Sequence, residues 1–434
     1  MDSPPLRFVV RSADTTVRPY SDSRFLTHFA YNCGVHLSPT RPSNEVQIGM
    51  ITYASRDIGL GHVYRCITVA RALEARLKAA GVASGTVFLI PPDDDAEKVL
   101  SRERMTLHIL GTPGAFDIDW FRRELTHFAY DVLILDALDP PADLCRLIRE
   151  QAPVVGHIDD YTPGRSLADI ALNANLSPWT AKSRRAGGTL VLRGIENFIV
   201  NPDFAQKSEF HRKPGRILVS FGGTDPAHMT AFVLRVLRAI LAGETSVKPD
   251  GRTRAIDLAP ALDALSSLTG EGALFAGIRV DAVVSPSNPD LEALEAEFGD
   301  DERIAVNIDI GVLEFLLAYA DVAVVAGGQT LVEAASMGVP AVTAPINAHQ
   351  RVQSRYAERA GFAWPSGVSP KTPAAKKAAG VVAALARCIA DVEGRRRAHD
   401  TAMTQPMGRG AANFAAALAE LALARIRRRE LSVL

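Results

Sequence analysis

The chain is 434 residues long and has only four cysteines, Cys33, Cys66, Cys145 and Cys388. No two of them stand as a Cys-x-x-Cys pair. That excludes the common zinc motifs and a disulfide framework, and it fits a reducing compartment. Neither sign of charge is in excess: 48 Lys and Arg offset 49 Asp and Glu, a formal net charge of -1. No global field therefore gathers nucleic acid or a membrane surface. No apolar run approaches the length of a membrane span. Residues 1–10 carry an acid and two prolines where a signal peptide would carry basic, then apolar, residues. No metal-binding Asp-x-Asp is read at a strand end. These absences predict a cytoplasmic protein with no nucleic-acid partner, no transmembrane segment, no metal and no cofactor.

Apolar residues are plentiful at 47%, enough for two cores of ordinary domain size. Residues 1–45 show no period beyond a possible strand over 6–11 and read as an extension without an assigned role. From Val46 onward, strands and helices alternate. The first domain, over 46–200, has expected strands at 46–54, 87–90, 106–110, 132–135, 154–158 and 170–172. Its helices are expected after Gly61 and over 119–130 and 141–150. Residues 201–214 read as a linker. The second domain, over 215–372, has expected strands at 217–220, 278–284, 304–307, 322–325 and 341–344. Helices fall near 227–241, 290–298, 312–320, 330–337 and 350–360, and 243–277 reads as an insertion with helical periodicity around 261–268. Residues 373–434 hold two long helix candidates, each with an arginine cluster, Arg395–Arg397 and Arg427–Arg429, read as solvated helix ends. Short apolar strands separated by helices imply parallel sheets covered on both faces, with ligands beyond the carboxyl ends of the strands.

Three glycine turns sit at such strand ends. The first is Ile58-Gly59-Leu60-Gly61-His62-Val63-Tyr64-Arg65, leading into a helix. Its glycines permit a tight turn, the helix start offers free N–H groups to an anion, and His62 can exchange a proton near neutral pH. The second is Ser220-Phe221-Gly222-Gly223-Thr224-Asp225-Pro226, with Asp225 placed to cap a helix and Pro226 suited to its first position. The third is Ala326-Gly327-Gly328-Gln329-Thr330. One such turn alone is weak evidence, but three together favour a phosphate-binding cleft and a nucleotide-type ligand. Glu333 follows the third turn by one helical turn and suits the ribose hydroxyls, the plain alternative being a first-turn acid that complements the helix dipole. A dehydrogenase is disfavoured because Tyr64 occupies the third glycine position of Gly-x-Gly-x-x-Gly.

Taken together, the first loop with Arg65-Cys66, the Phe221–Pro226 turn, the third turn with Glu333, Gly338-Val339-Pro340 and Gln350 resemble one group. It is the UDP-sugar hydrolase family of pseudaminic acid biosynthesis with its spore-coat polysaccharide relatives, within the GT-B glycosyltransferase superfamily. The likeness runs over about 46–365 and takes in Asp159-Asp160 and 197–204. It implies an α/β, GT-B-like fold: two Rossmann-like parallel-sheet domains facing a cleft, with C-terminal helices crossing back to the first domain. It further implies that Gly222, Gly223 and Thr224, with Gly327, Gly328, Gln329 and Thr330, hold a diphosphate. Glu333 would hold the ribose, and the base would lie near 307–310, beginning at Asn307. Gly59, Gly61, Arg65 and His62 would face the sugar, with Asp159 or Asp160 orienting it. The sequence departs from the family in residues 1–45, in 243–277 and at Asn347-Ala348-His349-Gln350, where the family often has an Asn-Gln pair, so His349 and Gln350 bear on sugar contacts.

The expected chemistry is loss of the nucleotide from a UDP-sugar. Backbone N–H groups and helix ends meet the growing charge on the diphosphate. His62 acts as base with Asp159 beside it, for a gain of roughly 10²–10⁴-fold. With water as nucleophile the enzyme is a UDP-sugar hydrolase, the leading expectation on the motif match. With an acceptor hydroxyl it is a glycosyltransferase. A non-catalytic sugar-nucleotide-binding protein is the alternative from another class.

Overall fold

The computed structural model describes residues 9–10, 45–53, 60–109, 118–125, 128–248, 255–260, 262–263, 275, 277–308 and 313–433. For 9–10, 120, 124 and 429–433 it describes the backbone alone. Gly59, Asp309, Ile310 and much of the 243–277 stretch, including most of the expected 261–268 helix, lie outside the described residues.

The first sheet contains β1 (Val9–Val10), β2 (Glu45–Ile51), β3 (Ala83–Ile90), β4 (Thr106–Ile109), β5 (Val132–Asp136), β6 (Val154–Ile158), β7 (Ile170–Leu172), β8 (Arg184–Ala186) and β9 (Thr189–Leu192). Their order is β1-β4-β3-β2-β5-β6-β7-β9-β8, parallel except for the β8–β9 hairpin. The second sheet contains β10 (Arg216–Ser220), β13 (Arg279–Val284), β14 (Ile304–Ile308), β15 (Val322–Val325), β16 (Ala341–Thr343) and β17 (Ala363–Pro365). Between β10 and β13 lies a separate pair, β11 (Ser246–Val247) and β12 (Ile256–Asp257). The second sheet is parallel throughout, ordered β14-β13-β10-β15-β16-β17. Each half therefore winds outward in both directions from its first main strand, as in doubly wound folds. The order reverses between β2 and β5 in the first sheet and between β10 and β15 in the second. Those two reversals are where such folds open a crevice for ligand. The fold is α/β and GT-B-like, two Rossmann-like sheets facing a cleft.

The central strands read as near-continuous apolar runs because both of their faces are covered. β5, β6 and β15 are buried at every position. The covering helices are α1 (Gly61–Ala79), α2 (Asp94–Arg102), α3 (Ile118–Leu125), α4 (Ala142–Gln151), α5 (Met229–Ala242), α6 (Leu291–Phe298), α7 (Leu313–Ala318), α8 (Gln329–Met337), α9 (Ala348–Arg359), α10 (Ala374–Ala390), α11 (Val392–Thr404) and α12 (Gly410–Val433). The tail thus forms three helices rather than two. α12 returns to the first sheet and packs on α1, β6 and β7. Gly156 permits this, since a Cβ there would lie 2.7 Å from the Phe414 ring. Burying Phe414 and Leu418 contributes about 1.5–3 kcal/mol each.

Three further expectations change. The 170–172 strand does not end the first sheet, because the β8–β9 hairpin follows it. Arg184 and Arg185 are exposed on that edge, which hides its strand character from an apolar pattern. α5 starts at Met229, not near 227, so Pro226 lies in the preceding turn. Arg395 is not solvated: it is 1% exposed and donates to the His211 carbonyl at 2.9 Å and the Arg212 carbonyl at 2.6 Å. No helix among the described residues is long and apolar enough to cross a membrane.

Candidate active site

At the first reversal, the apolar run of β5 ends in Asp136, and the start of α1 stands beside it. His62 and Arg65, three apart on α1, share one face. His62 Nδ1 lies 2.9 Å from Asp136 Oδ1. Arg65 grips the same carboxylate with two nitrogens, Nε to Oδ2 at 2.6 Å and Nη2 to Oδ1. Its Nη1 reaches Asp159 Oδ2 at 2.5 Å. Burial alone would push the Asp136 carboxyl up, but the Arg65 guanidinium and His62 outweigh it and hold Asp136 well below the usual range. Asp136 is therefore an acceptor. Nδ1 of His62 carries the proton donated there, and in the neutral imidazole Nε2 then holds the lone pair. Arg65 Nη2 is also 2.9 Å from Nδ1. With Nδ1 protonated, that approach is a contact and not a hydrogen bond. The Tyr53 ring tilts over His62 at 5.2 Å.

Asp159 follows β6 with φ 57°, a left-handed conformation. Arg65, the Asn175 amide at 2.6 Å and the Tyr161 hydroxyl at 3.2 Å hold its carboxylate. Asp160 faces elsewhere. Its carboxylate accepts from His157 Nδ1 at 2.8 Å and from the Thr162 N–H and hydroxyl, so it braces the turn. Of the two acids expected to orient a sugar, Asp159 is the one joined to the His62 cluster. Gly61 opens α1 with free space where a Cβ would go. In the sequence Asp136 shows only as the acid that directly follows the apolar run 132–135. A carboxylate closing a fully apolar parallel strand is the signal that marks it, and Tyr161 and Asn175 carried no signal.

At the second reversal, Gly222 is exposed with φ +87°, and Gly223 and Thr224 are half-buried beside it. Asp225 is spent on α5, accepting from the Met229 and Thr230 N–H groups at 3.0 and 2.6 Å. Gly327 has φ +100°, and a Cβ there would stand 2.4 Å from Ser354 Oγ and 3.0 Å from the Gln350 carbonyl. That close approach seats the third turn on the first two turns of α9. Gly328 then opens α8, whose first turn has no side-chain cap and no acid; the Leu331 N–H donates to the Gly328 carbonyl at 3.1 Å, so the Gln329 and Thr330 N–H groups are the ones placed for an anion. Thr330 is half-buried in this first turn. Glu333 is buried one turn further on, and burial pushes its carboxyl up to about 7.

Other expected contacts are already committed. The Gln329 amide donates to the Ile199 carbonyl at 2.8 Å, leaving only its backbone at the helix start. Gln350 accepts from the Ile346 N–H at 2.9 Å, and the Asn307 amide donates to the Ala282 carbonyl at 3.2 Å. His349 is exposed on α9, which Asn347 caps.

No family model matches the chain. It is 22% identical over 333 residues to the spore coat polysaccharide biosynthesis protein SpsG of Bacillus subtilis, covering 76% of this chain and 86% of that protein. Among solved structures it is similar to MurG of Acinetobacter baumannii, with TM-score 0.53, 14% identity, and coverage of 86% of this chain and 99% of that one. It is similar also to a UDP co-structure of MnaA from S. aureus, with TM-score 0.50, 13% identity, and coverage of 85% and 94%. At this identity the likeness is one of fold, and it agrees with the strand orders above: the architecture is that of the GT-B glycosyltransferases.

Proposed function

We propose that the protein breaks the glycosyl–diphosphate bond of a UDP-linked sugar and passes the sugar to an acceptor hydroxyl, as a nucleotide-sugar-dependent transferase. The observation that carries this reading is the pairing of His62 with a charged, Arg65-clamped Asp136 at one sheet's switch point, while the other switch point presents glycine turns and an uncapped helix. The diphosphate sits at Gly222–Thr224 and at the start of α8, where N–H groups and the dipole meet its growing charge. Glu333 accepts from the ribose hydroxyls. His62 Nε2 takes the acceptor's proton as its oxygen bonds to the anomeric carbon. The carbon–oxygen bond to the diphosphate breaks, and Asp136 steadies the imidazolium. The UDP in the MnaA co-structure and the polysaccharide role in the SpsG name support a UDP-linked donor.

Hydrolysis is the second reading. The His62 side chain is 12% exposed and faces the Tyr53 ring, a setting that admits water more readily than a bulky acceptor. Product analysis separates the two. Purified protein is given a panel of UDP-sugars with and without cell extract, and UDP and free sugar are followed. UDP release that needs extract supports transfer, and UDP with free sugar in its absence supports hydrolysis. No release in either case overturns both.

A further inference from the structure

The Asp159 carboxylate is fully engaged. Its Oδ2 accepts from Arg65 Nη1 at 2.5 Å and from Asn175 Nδ2 at 2.6 Å, its Oδ1 accepts from the Tyr161 hydroxyl at 3.2 Å, and the residue is 1% exposed. Tyr161 is occupied as well, since its oxygen accepts from the Leu176 N–H at 2.7 Å. Asn175 differs. It lies in the loop that leaves the carboxyl end of β7, and it is half-buried. A carboxylate only accepts, so the amide atom that meets Asp159 is the nitrogen, which fixes the flip of the amide. Asn175 Oδ1 is then left over. It has no hydrogen-bond partner among the described residues and is not closed off from solvent. Asn173, two positions earlier, has another duty: it is buried and donates to the Asp160 carbonyl at 2.5 Å. The contacts that lead from His62 Nδ1 to Arg65, from Arg65 to Asp159 and from Asp159 to Asn175 measure 2.9, 2.5 and 2.6 Å. A sugar hydrogen-bonded at both ends can span that separation.

We infer that Asn175 is a specificity-determining residue: its Oδ1 accepts from a hydroxyl of the sugar carried by the diphosphate. The inference rests on the reading of His62 as the base that serves the anomeric carbon. A group one sugar-length from that base meets the hydroxyls of the sugar, while the nucleotide lies on the other half. Asp159 clamps the amide nitrogen, so the oxygen is presented in one orientation and loses little freedom on binding. Such an acceptor discriminates, because a sugar without the matching hydroxyl leaves it unpaired in the closed complex. The sugar-orienting role expected of Asp159 thereby falls to the amide that Asp159 holds.

The test is UDP release from UDP-hexoses and UDP-N-acetylhexosamines, and from monodeoxy analogues of whichever sugar turns over, with extract supplied where release needs it. It compares wild type, Asn175→Ala and Asn175→Ser. UDP affinity by calorimetry should be the same in all three, since UDP carries no sugar, and that equality also shows that the variants are folded. With the active UDP-sugar, kcat/KM should fall roughly threefold to tenfold in both variants, as for the loss of one neutral hydrogen bond. One monodeoxy analogue should cost wild type a similar factor and cost the variants nothing further, while the remaining analogues lose equally in all three proteins. A merely structural role for Asn175 does not single out one hydroxyl. A common loss for the parent sugar and every analogue, kcat/KM within about twofold of wild type, or UDP affinity lost along with turnover overturns the inference. If wild type releases UDP from no sugar, with or without extract, the underlying reading of the reaction fails and takes the inference with it.

Discussion

Replacing Asp136 with Asn keeps the shape of the side chain and removes its charge. Arg65 then loses a charged partner that it grips with two nitrogens but keeps Asp159. A charge-assisted hydrogen bond is worth about 1.5–3 kcal/mol net, and breaking a buried pair outright costs about 3–5 kcal/mol. Because Asp159 still compensates Arg65, the expected loss of stability is about 2–3 kcal/mol at neutral pH. The Asp136 carboxyl is held below its unfolded value of about 3.9. Its contribution is therefore complete above that pH and is lost as pH falls toward the folded value. The gap between wild type and variant in urea midpoints should narrow between pH 5 and pH 2. Turnover should respond separately. Asn can donate to Nδ1 and so turn the proton of His62 to Nε2, and it offers no charge to an imidazolium. The expected fall in kcat is roughly 10²–10⁴-fold, with UDP affinity unchanged. Turnover within about tenfold of wild type would refute the base assignment, whatever the stability shows.

Gly327→Ala forces a side chain onto φ +100° and into Ser354 and the Gln350 carbonyl, at a strain of about 1–3 kcal/mol, and should weaken UDP binding in calorimetry. Gly222→Ala shares the left-handed φ but meets open space, so its melting temperature should fall less. Arg395→Met strands two carbonyls of the connecting segment and should cost about 2–4 kcal/mol in denaturant unfolding. Arg397→Ala, on the exposed side of the same cluster, should stay within about 0.5 kcal/mol of wild type.

Buried parallel strands were readable because period and burial coincide in them: 154–158, 170–172 and 322–325 match β6, β7 and β15 residue for residue. The β8–β9 hairpin escaped because an arginine-bearing edge strand has no apolar period, and β17 escaped because its Ala-Trp-Pro sequence ends in a proline, a residue that argues against a strand. The second and third glycine turns could be placed from sequence because the positive φ of Gly222 and Gly327, and the close backbone approach at Gly327, restrict the residue type. What those turns face depends on contacts far apart in the chain. His62 meets Asp136 across 74 positions, and Gln329 meets Ile199 across 130. No local pattern encodes which acid the histidine finds. Arg395 misled for the same reason: a triplet of arginines looks solvated until the fold lays the connecting segment across one of them.

In the proposed mechanism the two sheets divide the labour, nucleotide grip at Gly222–Thr224, Gly327–Thr330 and Glu333, and proton transfer at His62. The most direct test measures both functions on one variant, His62→Ala, as UDP affinity by calorimetry and UDP release from the active UDP-sugar. Affinity equal to wild type, with turnover reduced roughly 10²–10⁴-fold, is the predicted result. Near-normal turnover, or loss of UDP affinity together with turnover, would contradict it.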